Sequence, residues 1–311
     1  MICSPRILGG LAAAVITVSA CSTSVPELPP DSPSEMLSVL SGDQGASVLK
    51  NVTTYEWDDD GAAAGSRFTW IGHNDDAANQ AAAVLADYLM TNHHTLGALD
   101  SGFLGLTKVS AAQLNPRLIR DYATGLAPHL GELVGGNQGA FDSLRTQVTD
   151  EPLAPRNLLS LFVADPEAGR TAIEATHAAA EQYEEAAAAA PPDSDESVAD
   201  LKAAGSLLGA AYGAVKLADS DIPTPSSGGA TSEMAVRVAT ILVPEDPNPA
   251  IVSKYVQGGR LMPPAEVENK YSVTAMRTYY LDVQNYIDTK GFEDGHNAFF
   301  AAFKDSAGVP L

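Results

Sequence analysis

The stretch DPEAGRTAIEATHAAAEQYEEAAAAA at residues 165–190, with DESVADLKAAGSLLGAAYGAVKLA at residues 195–218, decides the fold of this chain. Asp165, Pro166 and Glu167 offer a capping side chain, a first-turn proline and a carboxylate that the helix dipole favours, so a helix is predicted to begin there. Alanines then recur at helical spacing until two prolines end the run. Because the second stretch also has helical spacing, the sequence predicts an Ala/Gly-rich helical hairpin.

Three glycines of the second stretch lie four residues apart and share one helix face, at Gly205, Gly209 and Gly213. Each costs about 1 kcal/mol relative to alanine in a helix, so a close backbone neighbour is expected to compensate. We expect that neighbour to be the alanine face of the preceding helix. The same spacing occurs in transmembrane dimers, but only thirteen uncharged residues separate Lys202 from Lys216. Packing within a soluble domain is therefore the preferred interpretation.

Helical periodicity continues on both sides of the hairpin. Asn74 or Asp75 can cap a helix, and Asn115 followed by proline predicts another helix start, which Pro128 then breaks or kinks. Between residues 34 and 70 the sequence predicts one short helix near residues 36–40 and otherwise loop. Further helices are predicted at 75–90, at 115–134, at 234–243 as the preferred alternative to a strand, at 264–289, and around Phe299 and Phe303.

These elements predict an all-α fold, an irregular multi-helix bundle with no disulfides. The domain assignment places a main helical domain at residues 34–220, a linker at 221–232 and a C-terminal helical subdomain at 233–311. The linker rests on the run DIPTPSSGG at residues 221–229, whose prolines and glycines interrupt regular structure. About 265 residues remain for the folded part, which is enough to bury a sizeable apolar core.

The N-terminus has the three parts of an export signal. Arg6 supplies the positive charge, Ile7 to Val18 form an apolar core, and Ser19-Ala20 precede Cys21. Fourteen apolar and small residues are too few to span a bilayer, which needs roughly 20. A permanent membrane anchor and an ordinary secretory peptide remain the alternatives. The preferred prediction is a signal peptide at residues 1–20 and a Pro/Ser-rich tether at 21–33.

The run Val18-Ser19-Ala20-Cys21 resembles the lipobox of bacterial lipoproteins. That resemblance implies that Cys21 becomes the mature N-terminus and carries a thioether-linked diacylglyceride, usually with an amide-linked acyl chain. Two or three acyl chains anchor a protein stably where one does not. The protein is thus expected on the outer face of the cytoplasmic membrane, held through lipid on Cys21. Because Cys3 leaves with the signal, no free thiol remains for a disulfide or a thiolate metal site.

The mature chain is strongly acidic. Loss of Arg6 leaves 17 basic and 39 acidic residues, a net charge of −22. This balance argues against nucleic acid as a partner, because phosphates require clustered lysine and arginine. It also repels an anionic membrane surface within about 10 Å, so attraction to the bilayer should come from lipid alone. A cationic partner and a merely soluble surface both fit such a charge.

Residues that could carry chemistry form no recognised constellation. The run Glu56 to Gly61 places glycine at the turn position of a calcium loop, but Arg67 stands where the bidentate acid should be, so an acidic turn is preferred. The sequence has no metalloprotease, nucleophile-elbow or phosphate-loop motif. We predict no catalytic residue, no metal site and no cofactor. The six histidines are interpreted as surface residues, namely His73, His93, His94, His129, His177 and His296.

Several segments resemble the helical region of mycobacterial proteins labelled as containing a TPR repeat region. They are FTWIG at residues 68–72, LNPRLIRDYA at 114–123, LLSLF at 158–162 and ADPEAG at 164–169. The resemblance covers roughly residues 68–215 and implies a helical fold with no active site to transfer. A tetratricopeptide array would repeat its motif every 34 residues, and this chain has no such recurrence, so a solenoid is not predicted.

Together these observations favour a membrane-anchored exported lipoprotein. It would act as an interaction or scaffold module at the cell envelope, with an envelope protein as its unidentified partner. Two alternatives stay open. One is an envelope enzyme whose site assembles from scattered residues, and the other is a small-ligand or lipid carrier with a cavity between helices.

Overall fold

The computed structural model describes residues 25–101, 107–135 and 139–308. In these residues the chain is all-α, as predicted, and contains no cysteine. None of the helices found there combines the length and apolar character needed to cross a membrane. The helices are α1 Pro33–Leu40, α2 Gly45–Thr54, α3 Ala62–Gly65, α4 Asp76–Thr91, α5 His93–Leu96, α6 Ala111–Leu114, α7 Pro116–Leu126, α8 Asp142–Asp150, α9 Ala154–Val163, α10 Pro166–Ala189, α11 Asp195–Leu217, α12 Ser227–Leu242, α13 Pro264–Tyr271, α14 Met276–Ile287 and α15 Glu293–Ala307.

Two short antiparallel pairs are the strands that accompany these helices in the described residues. β1 Leu99–Ser101 pairs with β2 Thr107–Val109, and β3 Val256–Gln257 pairs with β4 Arg260–Leu261. Short 3₁₀ segments follow α7 and precede β3. The strands lie at turns between helices, so they do not change the fold class.

The predicted hairpin is α10 and α11, and its capping residues do what the sequence indicated. The Asp165 carboxylate accepts hydrogen bonds from the backbone N–H groups of Glu167 and Ala168. It also accepts two bonds of 2.9 Å from the Arg120 guanidinium, which ties α7 to the start of α10. Ser194 caps α11 by accepting from the Ser197 N–H. Each helix of the hairpin therefore begins at a side-chain cap.

Two hydrophobic cores share this hairpin. The N-terminal core joins buried residues of α1 to α9 with the first half of α10 and the last third of α11. The C-terminal core joins α12 to α15 with the second half of α10 and the first half of α11. The assignment of residues 34–220 and 233–311 to two units stays a prediction, and both cores draw on α10 and α11. The open end of the hairpin belongs to the N-terminal core, and the end that contains the turn belongs to the C-terminal core. Residues beyond 233 therefore cover part of α10 and α11.

The glycine face of α11 packs against α15 and not against α10. A Cβ added at Gly205, Gly209 or Gly213 would overlap the backbone carbonyl oxygens of Phe299, Phe303 and Ala307, respectively. Both series advance by four residues in the same direction, so α11 and α15 run parallel in backbone contact. The expectation that α10 is the neighbour is wrong, because the missing side chains admit the backbone of α15, whose contacting residues come 94 positions later in the chain.

Two C-terminal boundaries also differ from the prediction. The linker expected at 221–232 ends at Ser226, because the Ser226 hydroxyl accepts from the Gly229 N–H and caps α12. The single helix expected at 264–289 is divided into α13 and α14. Ser272 has φ +82°, a left-handed value that a helix cannot continue through. The segment at 234–243 is helical, as preferred.

The N-terminal boundaries change as well. The tether predicted to reach residue 33 extends too far, because Pro29 is buried, Asp31 pairs with Arg67, and α1 begins at Pro33. Helix α2 occupies a segment predicted as loop, and it buries Leu49 and Val52. The apolar positions of α2 are separated by polar residues, so its helical spacing was not recognised in the sequence. The short helix predicted near residues 36–40 is present as α1.

Asn115 stands at the start of α7 as predicted, but its side chain does not cap the helix. It is fully buried and bridges to the segment after α2 instead. Its carboxamide oxygen accepts from the Trp57 N–H, and its Nδ2 donates to the carbonyls of Thr53 and Tyr55. The loop at 53–57 is thereby held on α7.

Candidate functional site

The predicted lipidation residue, Cys21, and the signal peptide at 1–20 lie outside the described residues. The histidines fall inside them, and they are dispersed. His129 is buried, contrary to its assignment to the surface, and its Nε2 lies 2.7 Å from the Ile71 carbonyl oxygen. His93 and His94 lie in helix α5 and not in a loop. No group of three or more metal-ligating side chains occurs in the described parts of the chain.

The acidic run at residues 56–61 forms a structural turn. Asp59 accepts hydrogen bonds from the backbone N–H groups of Gly61 and Ala63, so its carboxylate is used within the turn. Gly61 has φ +81°, and a Cβ there would strike the Leu118 side chain. This close approach brings the turn against the start of α7. The carboxylate of Asp59 thus has a local structural role, in keeping with the preferred interpretation.

A buried carboxylate, Glu184, lies on the side of α10 that faces α12. Its side chain is 3% exposed, and its carboxylate accepts a 2.8 Å hydrogen bond from Nε of Arg237 on α12. The same guanidinium donates from Nη2 to Glu181, one turn earlier on α10, at 2.7 Å. Glu233, one turn earlier on α12, completes the set. We call Glu181, Glu184, Glu233 and Arg237 the carboxylate cluster.

Burial dominates the electrostatics of the carboxylate cluster. Desolvation raises the pKa of Glu184 from 4.5 to about 7, because the opposing effect of Arg237 does not compensate for the loss of water. The nearby charges of Glu181 and Glu233 raise it further. Desolvation also raises the pKa of Glu233. A buried acid that titrates near neutrality beside a cleft is the pattern by which functional sites are recognised in uncharacterised proteins.

A groove of about 370 Å³ opens beside the carboxylate cluster. We call it the α12 groove. Glu185, Glu233 and Arg237 supply its charged wall, and the apolar wall is built from α12, α13 and α14 by Val236, Ile241, Pro264 and Tyr280. Ile241 is 37% exposed, so its side chain is available to a bound molecule. The groove therefore offers negative charge and apolar surface side by side.

A second cavity, of about 650 Å³, lies farther toward the start of α10. The loop at residues 219–226 forms its other side, and we call it the loop cavity. Ile222 of that loop comes close to α10 because residue 169 is glycine; a Cβ there would lie 2.8 Å from the Ile222 Cδ1. His177 lines this cavity, one turn before Glu181.

Neither the α12 groove nor the loop cavity could be recognised in the sequence, and the reason is the same for both. Arg237 and Glu184 are 53 residues apart, and nothing in either local pattern indicates that they meet. The one available signal was an odd charge on the predicted helix at 234–243, where Arg237 interrupts an otherwise apolar run. No family model, curated protein or solved structure matches the chain. The function is therefore argued from these residues.

Proposed function

We propose that the protein is an exported lipoprotein that binds a partner at the cell envelope. Lipid on Cys21 would anchor it to the outer face of the cytoplasmic membrane, and the α12 groove would bind a cationic, amphipathic segment of an envelope protein. The observation that carries the binding proposal is the juxtaposition of a carboxylate wall with exposed apolar side chains. The resemblance to mycobacterial TPR-region proteins agrees with a helical interaction module and adds no site.

The anchor constrains how far the domain can stand from the bilayer. Pro29 is buried in the domain, and eight residues lie from Cys21 up to it. At full extension eight residues span at most about 28 Å. Pro29 lies beside α1 and so belongs to the part of the molecule built on the N-terminal core. This part would lie near the membrane, and the region formed by α12 to α15 would be presented to partners.

Charge selects the chemistry of the occupant. Four carboxylates, at Glu181, Glu184, Glu185 and Glu233, surround the single cation Arg237 at the groove and its edge. Lysine or arginine of a partner can pair with the exposed members, since those carboxylates are close to solvent. Apolar side chains of the same segment would cover Ile241 and Tyr280, so an amphipathic segment fits better than a purely charged one.

The anchoring part is tested with Cys21→Ala. Loss of the acceptor thiol should move the protein from the membrane fraction to the soluble fraction of cells that express it. Immunoblots of the two fractions measure the distribution. A variant that remains with the membrane would contradict lipid anchoring, because the mature chain carries a net charge of −22 and offers no electrostatic attraction to anionic lipid.

The binding part is tested with defined peptides. A fluorescent Lys/Leu amphipathic peptide should bind the soluble domain, and a Glu/Leu peptide of the same pattern should not. Ile241→Asp should weaken the Lys/Leu complex at least about tenfold, because it removes the apolar wall of the groove. Ile251→Asp is the matched control, since Ile251 is 38% exposed against 37% for Ile241 and does not line the groove.

Charge recognition needs its own variant pair. Glu233→Lys reverses a charge of the carboxylate cluster and should also weaken the Lys/Leu peptide at least about tenfold. Glu245→Lys makes the same change at an exposed site outside the groove and should have a small effect. Equal losses in both variants would mean that overall acidity, and not the α12 groove, attracts the peptide.

A further inference from the structure

The loop cavity has a volume of about 650 Å³ and lies between the first half of α10 and the loop at residues 219–226. Its volume falls in the range of small-molecule sites, roughly 300–1,000 Å³. Ile173 of α10 and Ile222 and Pro223 of the loop provide apolar lining, and both isoleucines are largely buried. The recess thus has an apolar floor that an aliphatic side chain could fill.

His177 contributes a polar atom with an unused hydrogen bond. Its Nε2 is shielded from solvent, and no hydrogen-bond partner for it occurs among the residues that the structure describes. Buried polar atoms are almost always paired, so an orphan beside a cavity indicates a missing partner. Burial lowers the pKa of His177, which keeps the imidazole neutral near pH 7. A neutral ring can accept or donate at Nε2, depending on its tautomer.

Charges of both signs surround the same recess. Arg170 lies on α10 one turn before Glu174, and Asp221 lies on the loop. In residues 25–101, 107–135 and 139–308, none of these three side chains forms an ion pair. By contrast, Arg120, Arg145 and Arg237 each pair with two carboxylates. A free guanidinium and two free carboxylates at one cavity could receive a ligand that carries both charges.

We propose that the loop cavity binds a zwitterionic amino acid or dipeptide with an apolar side chain. The Arg170 guanidinium would hold the ligand carboxylate, since it matches that group with two parallel hydrogen bonds. Glu174 and Asp221 would receive the ammonium group. The aliphatic side chain would lie on Ile173, Ile222 and Pro223, and His177 Nε2 would bond to the peptide amide of a dipeptide. This site is separate from the α12 groove, so it does not depend on the proposed partner.

The test uses the dipeptide Ala-Leu with free termini and amide NMR of the soluble domain. Saturable shifts are expected at the Asp221 and Ile222 amides, because these residues form the loop side of the cavity. N-acetyl-leucinamide, which keeps the side chain and lacks both charges, should bind at least about tenfold more weakly. Free leucine distinguishes whether one residue suffices. Absence of saturable shifts with both zwitterions at millimolar concentration would overturn the proposal.

Arg170→Gln should weaken Ala-Leu binding at least about tenfold, because it removes the charge-assisted bonds to the carboxylate. Arg170 is exposed, so the substitution should leave the fold intact. Arg277→Gln is the matched control: Arg277 is also exposed and forms no ion pair in the described chain, but it lies on α14 away from the cavity. If the two variants bind Ala-Leu equally well, the assignment of Arg170 is wrong. Equal binding of N-acetyl-leucinamide would likewise contradict recognition of a zwitterion.

Discussion

The two regions that share the hairpin differ sharply in charge. Residues 25–226 contain 10 basic and 29 acidic residues, a net charge of −19, whereas residues 227–308 contain 7 and 10, a net charge of −3. Exposed large apolar side chains show the opposite distribution. Most of those in the described chain lie beyond residue 227, at Ile241, Ile251, Tyr271, Val273, Leu281 and Phe300.

This difference fits the proposed function. A strongly acidic surface keeps a protein soluble, and because an anionic bilayer repels it, the region nearest the proposed anchor would depend on the lipid alone for attachment. A weakly charged surface with exposed aliphatic and aromatic groups suits contact with another protein. The α12 groove lies in the second region, although its charged wall draws on α10. The acidity of the chain is thus concentrated away from most of its apolar surface.

The regions also differ in how they join the hairpin. On the N-terminal side, Ala168, Ala172 and Ile173 of α10 pack against ordinary side chains such as those of α7 and α9. On the C-terminal side, three glycines of α11 let the backbone of α15 come into contact. Backbone contact tolerates no added atom, so the C-terminal junction should be the more fragile one.

Gly209→Ala tests that fragility and should have the largest effect. In an open helix this change would stabilise by about 1 kcal/mol. Here the new methyl group would overlap the Phe303 backbone, so a loss of about 3 kcal/mol in the free energy of unfolding is expected. Gly228→Ala is the control, because a Cβ there meets no atom within 4 Å. Urea titration measures both, and equal stability would contradict the helix contact.

Asn115→Ala examines the N-terminal region, where a buried polar side chain holds the end of α2 and the residues after it on α7. Three hydrogen bonds of a fully buried carboxamide would be lost, and the Trp57 N–H would lose its acceptor. We expect a loss of about 2 kcal/mol in the same urea assay. The fluorescence of Trp57 should also change in intensity or wavelength, because the loop that contains Trp57 is no longer held on α7. A change below about 0.5 kcal/mol would mean that solvent replaces these bonds.

Glu184→Gln probes the pair that crosses between α10 and α12, with a pH-dependent effect. The pKa of Glu184 is raised from 4.5 to about 7 by burial, so the native state binds the extra proton between these values. The stability that the neutral, buried form of Glu184 provides is therefore fully present below about pH 4.5. It is lost as the pH rises to about 7, because the unfolded chain ionises first. Glutamine does not titrate. From about pH 5 to about pH 8 the variant should gain about 2 kcal/mol relative to wild type, because each unit of pKa is worth about 1.4 kcal/mol. A constant difference across that range would contradict the raised pKa.

Local signals predicted much of the fold. The cap at Asp165, the proline at 166 and the prolines after Ala190 placed the hairpin, because each acts within one helical turn. The same logic located α4 through the Asp75 cap, which accepts from the Ala78 N–H. Helix boundaries that depend on a backbone angle, such as the break at Ser272, carry no equivalent signal in a single sequence.

Contacts between residues far apart in the chain could not be predicted from the sequence. The glycine spacing of α11 correctly indicated a close neighbour, but the choice between α10 and α15 depends on how the chain returns from α14. The carboxylate cluster is a similar case, since Glu184 is one of many glutamates on alanine-rich α10 until Arg237 of α12 is placed beside it. Its burial, and hence its pKa, follows from packing and not from local composition.

The proposed division into an anchored acidic region and a partner-facing region depends on the state of Cys21. Intact mass and N-terminal peptide mass spectrometry of the protein purified from membranes measure that state directly. The account predicts a mature chain that begins at Cys21 and carries a diacylglyceryl group, with or without a further acyl chain. A mature N-terminus at another residue, or Cys21 with an unmodified thiol, would contradict it.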